Sequence, residues 1–516
     1  MKATIKDILD IVNNKTLTTN QKHHFLANVA ERLIPLQESM NFTDEEVMYM
    51  EEKMYYDDLN EGNVPYRPRY ILPDYSLLMK KGVEFLGIKP PKNLDEAIDA
   101  LLIMYQNVPS ITSYPVYIGQ LDELLEPFVK GTEEEYVKID RFLNHIDKTI
   151  PDSFCHANIG PRDTKVGRMI IRSCIEHPSP TPNLTMKYKA GVTPQDFIAY
   201  SLQASLVSAK PAFSNDDIYA KENKGEYGIA SCYNILPIAG GGSTLPRLKL
   251  LAPAKDSKDI KDFMDNYLPK SVDIMLSILM KRHDYIMNTI FWEVDYLVRE
   301  NFIKKENFLP MFGLIGLGSA VNHLMSLEGK DLKMGHDDEA NELGDKIMAY
   351  MDKRVEEYNS KHKTNIQLHA QVGANLQEID NGLSLATRVP IGTEPELFDH
   401  LKHIGQYQTY CKAGCGEHFS FDPIWEKRTD KLAGILESAF KLPGTRYIGV
   451  YGQESDFVRV TGYLVRRSEI EKLRNGEAVL RDTDAMGQGT DDSAQALTRK
   501  KRPMDKVILT RDDLFK

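Results

Sequence analysis

From about Phe154 onward the chain alternates short apolar runs with long amphipathic helices, and this alternation narrows the choice of architecture more than any other feature. Apolar runs at residues 184–188, 235–238, 248–251, 366–370 and 447–450 are each followed within a few residues by helix or turn signals. Thr193, Pro194 and Asp196 form a helix start, and residues 272–298 and 337–358 carry long amphipathic patterns. The order predicts an α/β fold, a largely parallel sheet or barrel with helices outside. No internal repeat at a fixed period interrupts that reading.

The rest of the chain looks different. Residues 1–150 read as a helical wrapping: 20–33 place Phe25, Leu26, Val29, Ala30 and Leu33 on one face, 94–105 follow the N-cap Asn93, and 133–150 repeat the pattern through Tyr136, Val137, Phe142, Leu143 and Ile146. Residues 61–73, rich in Pro and Tyr, read as an ordered covering loop. Residues 151–445 form the expected α/β core and 446–475 a separate segment. Residues 476–516 are a loose tail with a basic run at 499–502 and a short apolar ending that can dock.

Composition excludes several functions. With 64 Lys and Arg against 75 Asp and Glu the formal charge is −11, the wrong sign for a surface that grips a nucleic-acid polymer. The most apolar stretch, 310–321, is too short to span a bilayer and carries Gly313, Gly316 and Gly318, which read as close helix packing. Residues 1–15 read as a small amphipathic helix rather than an export signal. Five scattered cysteines make no disulfide framework, so a reducing cytoplasm is the expected setting.

Two short runs carry chemistry. Residues 456–467 read Asp-Phe-Val-Arg-Val-Thr-Gly-Tyr-Leu-Val-Arg-Arg, a strand interrupted by Gly462, and a lone strand glycine ordinarily marks a bulge or a close backbone approach. Residues 227–247 place Cys232 just before an apolar strand and Gly240 to Gly242 after it; alone, Cys232 is a small buried hydrophobe and the glycines are a turn or a weak phosphate cradle.

Together they resemble the glycyl radical enzymes. Arg459-Val460-Thr461-Gly462-Tyr463 is similar to the signature near the C-terminus of that family, and a Cα radical needs a residue without Cβ that can flatten. Residues 159–164, 182–185, 210–216 and 392–396 resemble the family's turns at strand ends, and the likeness spans roughly residues 150–475, closest to the YjjI-like branch. The resemblance implies a ten-stranded α/β barrel of two five-stranded parallel half-sheets, with the Cys loop and the Gly loop meeting inside. It implies a radical stored on Gly462 and relayed through a Cys232 thiyl to a small polar substrate, as in a lyase or eliminase. A ribonucleotide-reductase-like reductase of a nucleotide or nucleoside is the alternative, with a non-catalytic radical-domain or regulatory protein third. A separate radical S-adenosylmethionine activase, holding the S-adenosylmethionine and the iron-sulfur cluster, is the implied partner, and the family admits a homodimer.

Departures from better-known branches matter. Ser231 precedes Cys232 where formate-lyase-type enzymes have a second cysteine, so acyl transfer is disfavoured. Asn234 stands where eliminases have a glutamate base, which leaves His369, Glu394 or Glu396 to supply it. Asn215, His369, Glu394 and Glu396 are therefore the expected substrate-side residues. The run from Cys411 through Cys415 to His418 is a turn with two thiols, a redox dithiol or three metal ligands; whether a metal is bound stays open. His400 and His403 read as a solvated helix face rather than a metal pair.

Overall fold

In a computed structural model of the 516-residue chain, the described residues are 4–31, 33, 40–57, 66–111, 114–150, 154–370, 383–459 and 464–480. Residues 61–65 of the covering loop, Gly462 and most of the tail therefore lie outside the described residues.

The strands among them are β1 (Tyr56–Asp57), β2 (Tyr70–Leu72), β3 (His156–Ile159), β4 (Asn183–Tyr188), β5 (Ala212–Asn215), β6 (Tyr227–Ala230), β7 (Asn234–Pro237), β8 (Gly240–Thr244), β9 (Arg247–Lys249), β10 (Phe308–Ile315), β11 (Gln367–Ala370), β12 (Glu417–Phe421), β13 (Tyr447–Gly452), β14 (Phe457–Arg459) and β15 (Leu464–Arg466). One sheet has six strands in the order β1-β9-β10-β8-β2, with β11 also on β10; the other has five, β12-β13-β5-β4-β3. Strands β8, β9 and β11 run parallel to β10, while β1 and β2 close the edges antiparallel. In the second sheet β3, β4 and β5 are parallel, β12 and β13 are parallel, and the two groups meet antiparallel at β5 and β13. The sheets are thus mixed, and differ from the two five-stranded parallel halves expected. In the first sheet the difference arises because β1 and β2 enter antiparallel from the N-terminal region, and in the second because β5 and β13 pair antiparallel.

Several strands escape a periodicity reading for a physical reason. Gly240 to Gly242 look like a turn, yet they form β8 because the backbone of β2 lies against them: a Cβ on Gly241, at φ +150°, would sit 1.9 Å from the Tyr70 carbonyl oxygen. Gly313 belongs to β10 rather than to a helix packing seam, and it faces the Pro246 carbonyl in the kink between β8 and β9. The pattern at 272–298 is one helix, Leu268–Met287, followed by two short turns, with Asp295 capping the second through Leu297 N at 2.9 Å. By contrast the helices Leu94–Tyr105 and Glu133–Thr149 begin at their caps, where the Asn93 and Thr132 side chains accept from the third residue on. The tail starts by docking: Gln21 of the helix Thr19–Glu31 donates to Val479 O at 2.9 Å.

Between the sheets lies the β6–β7 hairpin, flanked by β3 on one side and by β2 and β8 on the other. Burial is near-total around it, with Tyr227, Ile229, Ala230, Tyr233, Ile235 and Leu236 at 0–1% exposure. Among the described residues no helix is long and apolar enough to cross a membrane.

The β2–β8 seam gives a stability prediction. Gly241→Ala must push Tyr70 away and should cost on the order of 3 kcal/mol. Gly434→Ala, in the helix Thr429–Phe440 with open space at its Cβ, should be neutral or stabilising by up to about 1 kcal/mol. Urea unfolding of both variants checks the contrast; equal behaviour contradicts the seam.

Candidate active site

Ser231, Cys232 and Tyr233 form the three-residue tip of the β6–β7 hairpin. Ser231 takes a left-handed φ of 57°, costly for a residue with a Cβ, and holds it because the turn is tied on several sides. Its N–H donates to Val116 O at 3.0 Å. Its carbonyl accepts from His156 Nδ1 at 2.5 Å and from Asn183 Nδ2 at 3.4 Å. Two residues below, Asn158 pairs with both backbone groups of Ile229, at 2.9 and 2.8 Å. Asn234 closes the turn by donating to Ala230 O at 3.0 Å. That contact uses the side chain at the position where the eliminases place their glutamate.

Cys232 is 8% exposed, and burial pushes its thiol up to about 11. The Ser231 hydroxyl, 3.7 Å from the sulfur, and the charges of Arg459, Arg388 and Arg69 work the other way and lose. The group therefore keeps its S–H bond across neutral pH. Tyr447 donates to Cys232 O at 3.3 Å and so pins the residue from the β13 side.

Next to the thiol, Tyr233 stacks on His369 with centroids 5.9 Å apart and donates its hydroxyl to Ala370 O at 3.1 Å. Burial holds His369 neutral, its pKa lowered to about 3, and neither ring nitrogen has a partner among the described residues. Arg388 donates through Nε to Gly416 O at 2.8 Å and lies 3.4 Å from Glu417 Oε1. Its two terminal nitrogens have no partner among the described residues, although the side chain is only 3% exposed.

Residues 411–416 form a strap around Tyr233. Ala413 N donates to Leu368 O at 3.1 Å and Ile235 N to Ala413 O at 2.9 Å, which joins β11 to β7. Gly414, at φ +134°, runs so close that a Cβ would come 2.3 Å from Tyr233 O. Cys411 and Cys415 are buried, their sulfurs 3.9 and 3.8 Å from the Tyr407 and Gln408 carbonyls at the end of the helix Leu397–Gln408. Burial raises both thiols, that of Cys415 to about 12. His418 faces away from them, against Gly449 and Tyr447. No group of three metal-ligating side chains gathers here or elsewhere among the described residues.

The other expected residues separate. Asn215, at the end of β5, spends both amide hydrogens on Phe440 O and Thr445 O, at 3.1 and 3.0 Å, as a staple between chain segments. Glu394 is buried and turned onto Gly392 N at 2.9 Å. Glu396 is exposed and caps a helix, lining a cleft of about 570 Å³ with His336 and Lys402. His400 and His403 are a correction: they are buried at 1% and 7%, His400 against Phe419 of β12 and His403 against Tyr407 of its own helix.

Gly462 lies outside the described residues, but the two strands that flank it do not. Strands β14 and β15 form an antiparallel pair in which Arg459 opposes Leu464, both 1% exposed. Arg459 donates through Nε to Ala209 O at 2.8 Å and through a terminal nitrogen to Asn183 Oδ1 at 3.0 Å. Asn183 is the residue that also reaches Ser231 O. Two hydrogen bonds through one amide thus join the base of the β14–β15 pair to the cysteine turn. Asn183 lies in the 182–185 match noted in the sequence; Arg388 and Tyr447 carried no motif, and a single arginine inside the apolar stretch 385–391 was their only visible signal.

Comparison with known proteins places this arrangement in a class. The fold matches the anaerobic ribonucleotide reductase of Thermotoga maritima, solved with dATP and CTP, at TM-score 0.70, 12% identity and coverage of 91% of this chain and 93% of that one. It matches equally, at TM-score 0.70 and 10% identity, a Roseburia inulinivorans structure of 1,2-propanediol dehydration, covering 97% and 89%. The B12-independent glycerol dehydratase of Clostridium butyricum matches at 0.68, with 11% identity and coverage of 98% and 89%. These are glycyl radical enzyme folds. Within that class the chain belongs to the YjjI-like glycyl radical enzyme family, whose model matches residues 17–502. It is 45% identical to a Haemophilus influenzae protein over 98% of this chain and 99% of that one, and 38% identical to YjjI of Escherichia coli over 95% of each.

The buried neutral histidines generate a pH prediction. His403, like His369, has its pKa lowered by burial from 6.5 to about 3. Below 6.5 only the unfolded chain takes up the proton, so stability is lost as pH falls from 6.5 toward 3. Each such group should cost roughly 2 kcal/mol at pH 5 relative to neutrality. His403→Gln should shrink the fall in unfolding free energy between pH 7.5 and 5 by about that amount; an unchanged fall contradicts a buried neutral imidazole.

Proposed function

We propose that Gly462 stores the family's radical and that Cys232 relays it to a small polar substrate in a lyase or eliminase reaction. The observation that carries this reading is the Arg459–Asn183–Ser231 hydrogen-bond path, which anchors the strands around residue 462 beside the cysteine turn. One residue separates position 462 from the buried Leu464, so two Cα–Cα steps of the covalent chain bound its distance from that residue at about 7–8 Å.

The steps balance without an external oxidant. Cys232 S–H gives its hydrogen atom to the Cα of residue 462 and becomes a thiyl. The thiyl takes a hydrogen atom from a substrate carbon, and the leaving group departs from the neighbouring carbon with a proton. The product radical then recovers a hydrogen atom from Cys232, which regains one from residue 462. The raised thiol pKa serves this chemistry, because a thiolate has no hydrogen atom to give. His369, neutral and beside Tyr233, is the group best placed to carry the proton.

The strands of the two mixed sheets can be regrouped into the halves of a ten-stranded barrel around the hairpin, each half drawing on both sheets. One half would run β2, residues 116–120, β3, β4 and β5; the other would run β13, β12, β11, β10 and the kinked β8–β9. Supporting this are the antiparallel contacts β2–β8 and β5–β13, and the bonds from Ile118 N to His156 O at 2.9 Å and from Ala370 N to Gly414 O at 3.0 Å. A reductase reading needs a dithiol that cycles; Cys411 and Cys415 instead sit with raised thiols on helix-end carbonyls, which favours the lyase.

The partner is a radical S-adenosylmethionine activase, which must reach residue 462, so β14, β15 and the helix Arg467–Arg474 move together during activation. Anaerobic activation followed by exposure to air tests the assignment. The chain should be cut at residue 462, releasing a C-terminal piece visible by mass spectrometry, and Gly462→Ala should stay intact. An uncut wild-type chain bearing a radical signal contradicts Gly462 as its seat.

A further inference from the structure

Arg388 is buried with two of its three guanidinium nitrogens idle. Its charge is paired with Glu417, but N–H donors left without acceptors in a protein interior are costly, and interiors ordinarily satisfy them. Here Nε is used, on Gly416 O and toward Glu417, while Nη1 and Nη2 have no partner among the described residues. Glu417 meets Nε and not the terminal nitrogens, and its oxygens also receive His418 N at 2.8 Å and lie 3.3 Å from His400 Nε2.

The idle edge sits beside the reaction centre. Gly416, which holds Arg388 by its carbonyl, lies so close to Tyr233 and Tyr447 that a Cβ would meet their rings at 2.7 and 2.8 Å. Tyr233 follows Cys232 in the chain, and Tyr447 donates to the Cys232 carbonyl. Across Tyr233 is His369, whose two ring nitrogens are likewise without a partner among the described residues. Arg388 is also felt electrostatically at the thiol, together with Arg459 and Arg69, while Arg69 and Arg247 act on His369.

We infer that the substrate is a small organic anion whose carboxylate or phosphate oxygens are gripped by the paired Nη1 and Nη2 of Arg388, with His369 hydrogen-bonding its uncharged part beside Cys232. A guanidinium presents two parallel N–H donors that match two oxygens of one such group, which lysine does not. This deepens the proposed lyase reading and rests on it: the anion end anchors the molecule, and the carbon beside the polar end meets the thiyl. The hydrogen abstracted therefore comes from the uncharged portion of the substrate.

Binding needs no radical, so the unactivated full-length protein provides the test, independent of the cleavage experiment above. Three three-carbon probes are compared at constant ionic strength by thermal shift and calorimetry: lactate, glycerol phosphate and 1,2-propanediol. The expected result is that at least one anion binds and raises the melting temperature while the diol does not, the better anion distinguishing carboxylate from phosphate. Arg388→Met should weaken that anion at least tenfold, and Arg388→Lys should retain part of the affinity. Binding of the diol as tight as that of either anion, no binding by any probe, or unchanged anion affinity in Arg388→Met overturns the inference. Should Arg388→Met fail to fold, the wild-type panel and Arg388→Lys, with its single point charge, still decide.

Discussion

The carbonyl of Ser231 is the point on which the site depends. It belongs to the first residue of a turn, held in a strained conformation, and it accepts from both His156 of β3 and Asn183 of β4. His156 reaches it as a neutral imidazole, donating through Nδ1 and facing the Thr185 hydroxyl at 2.8 Å through Nε2. Asn183 divides its amide between this carbonyl and Arg459. If Cys232 is the relay proposed here, its turn needs such redundancy, because a shift of one ångström in a reacting atom costs far more than any one of these bonds. The same amide makes the position of the β14–β15 pair and that of Cys232 a single quantity.

Burial then sets the chemical state of the site. Water would screen the arginines, hydrogen-bond the histidine and supply stray hydrogen donors; a low-dielectric interior does the opposite. It keeps the Cys232 thiol protonated and His369 neutral, and it makes the unpaired edge of Arg388 expensive until something anionic fills the space. These three effects share one cause.

What the sequence revealed of this follows from how local each signal is. Cys232 and the run around Gly462 were visible because their chemistry demands particular residue types in adjacent positions. The capped helices at Asn93 and Thr132 were visible for the same reason. The glycine run of β8 was not, since its extended form is imposed by Tyr70 from a strand about 170 residues earlier in the chain. Glu394 and Glu396 drew attention as acids near a family-like turn, but one folds onto its own loop and the other faces solvent. Arg388 is the converse: nothing adjacent in sequence announces it, and its meaning comes from Gly416, Glu417 and Tyr233, all brought to it by the fold.

The central claim is that one backbone carbon and one sulfur exchange a hydrogen atom inside this interior. A thiol hydrogen exchanges with solvent, whereas a glycine Cα hydrogen by itself does not. Electron paramagnetic resonance of the anaerobically activated protein in H2O and D2O therefore reads the relay directly. The account predicts a doublet from the α-hydrogen of residue 462 that collapses in D2O for the wild type and persists in D2O for Cys232→Ala. A doublet that persists in D2O in the wild type, or collapses equally without the cysteine, would contradict it.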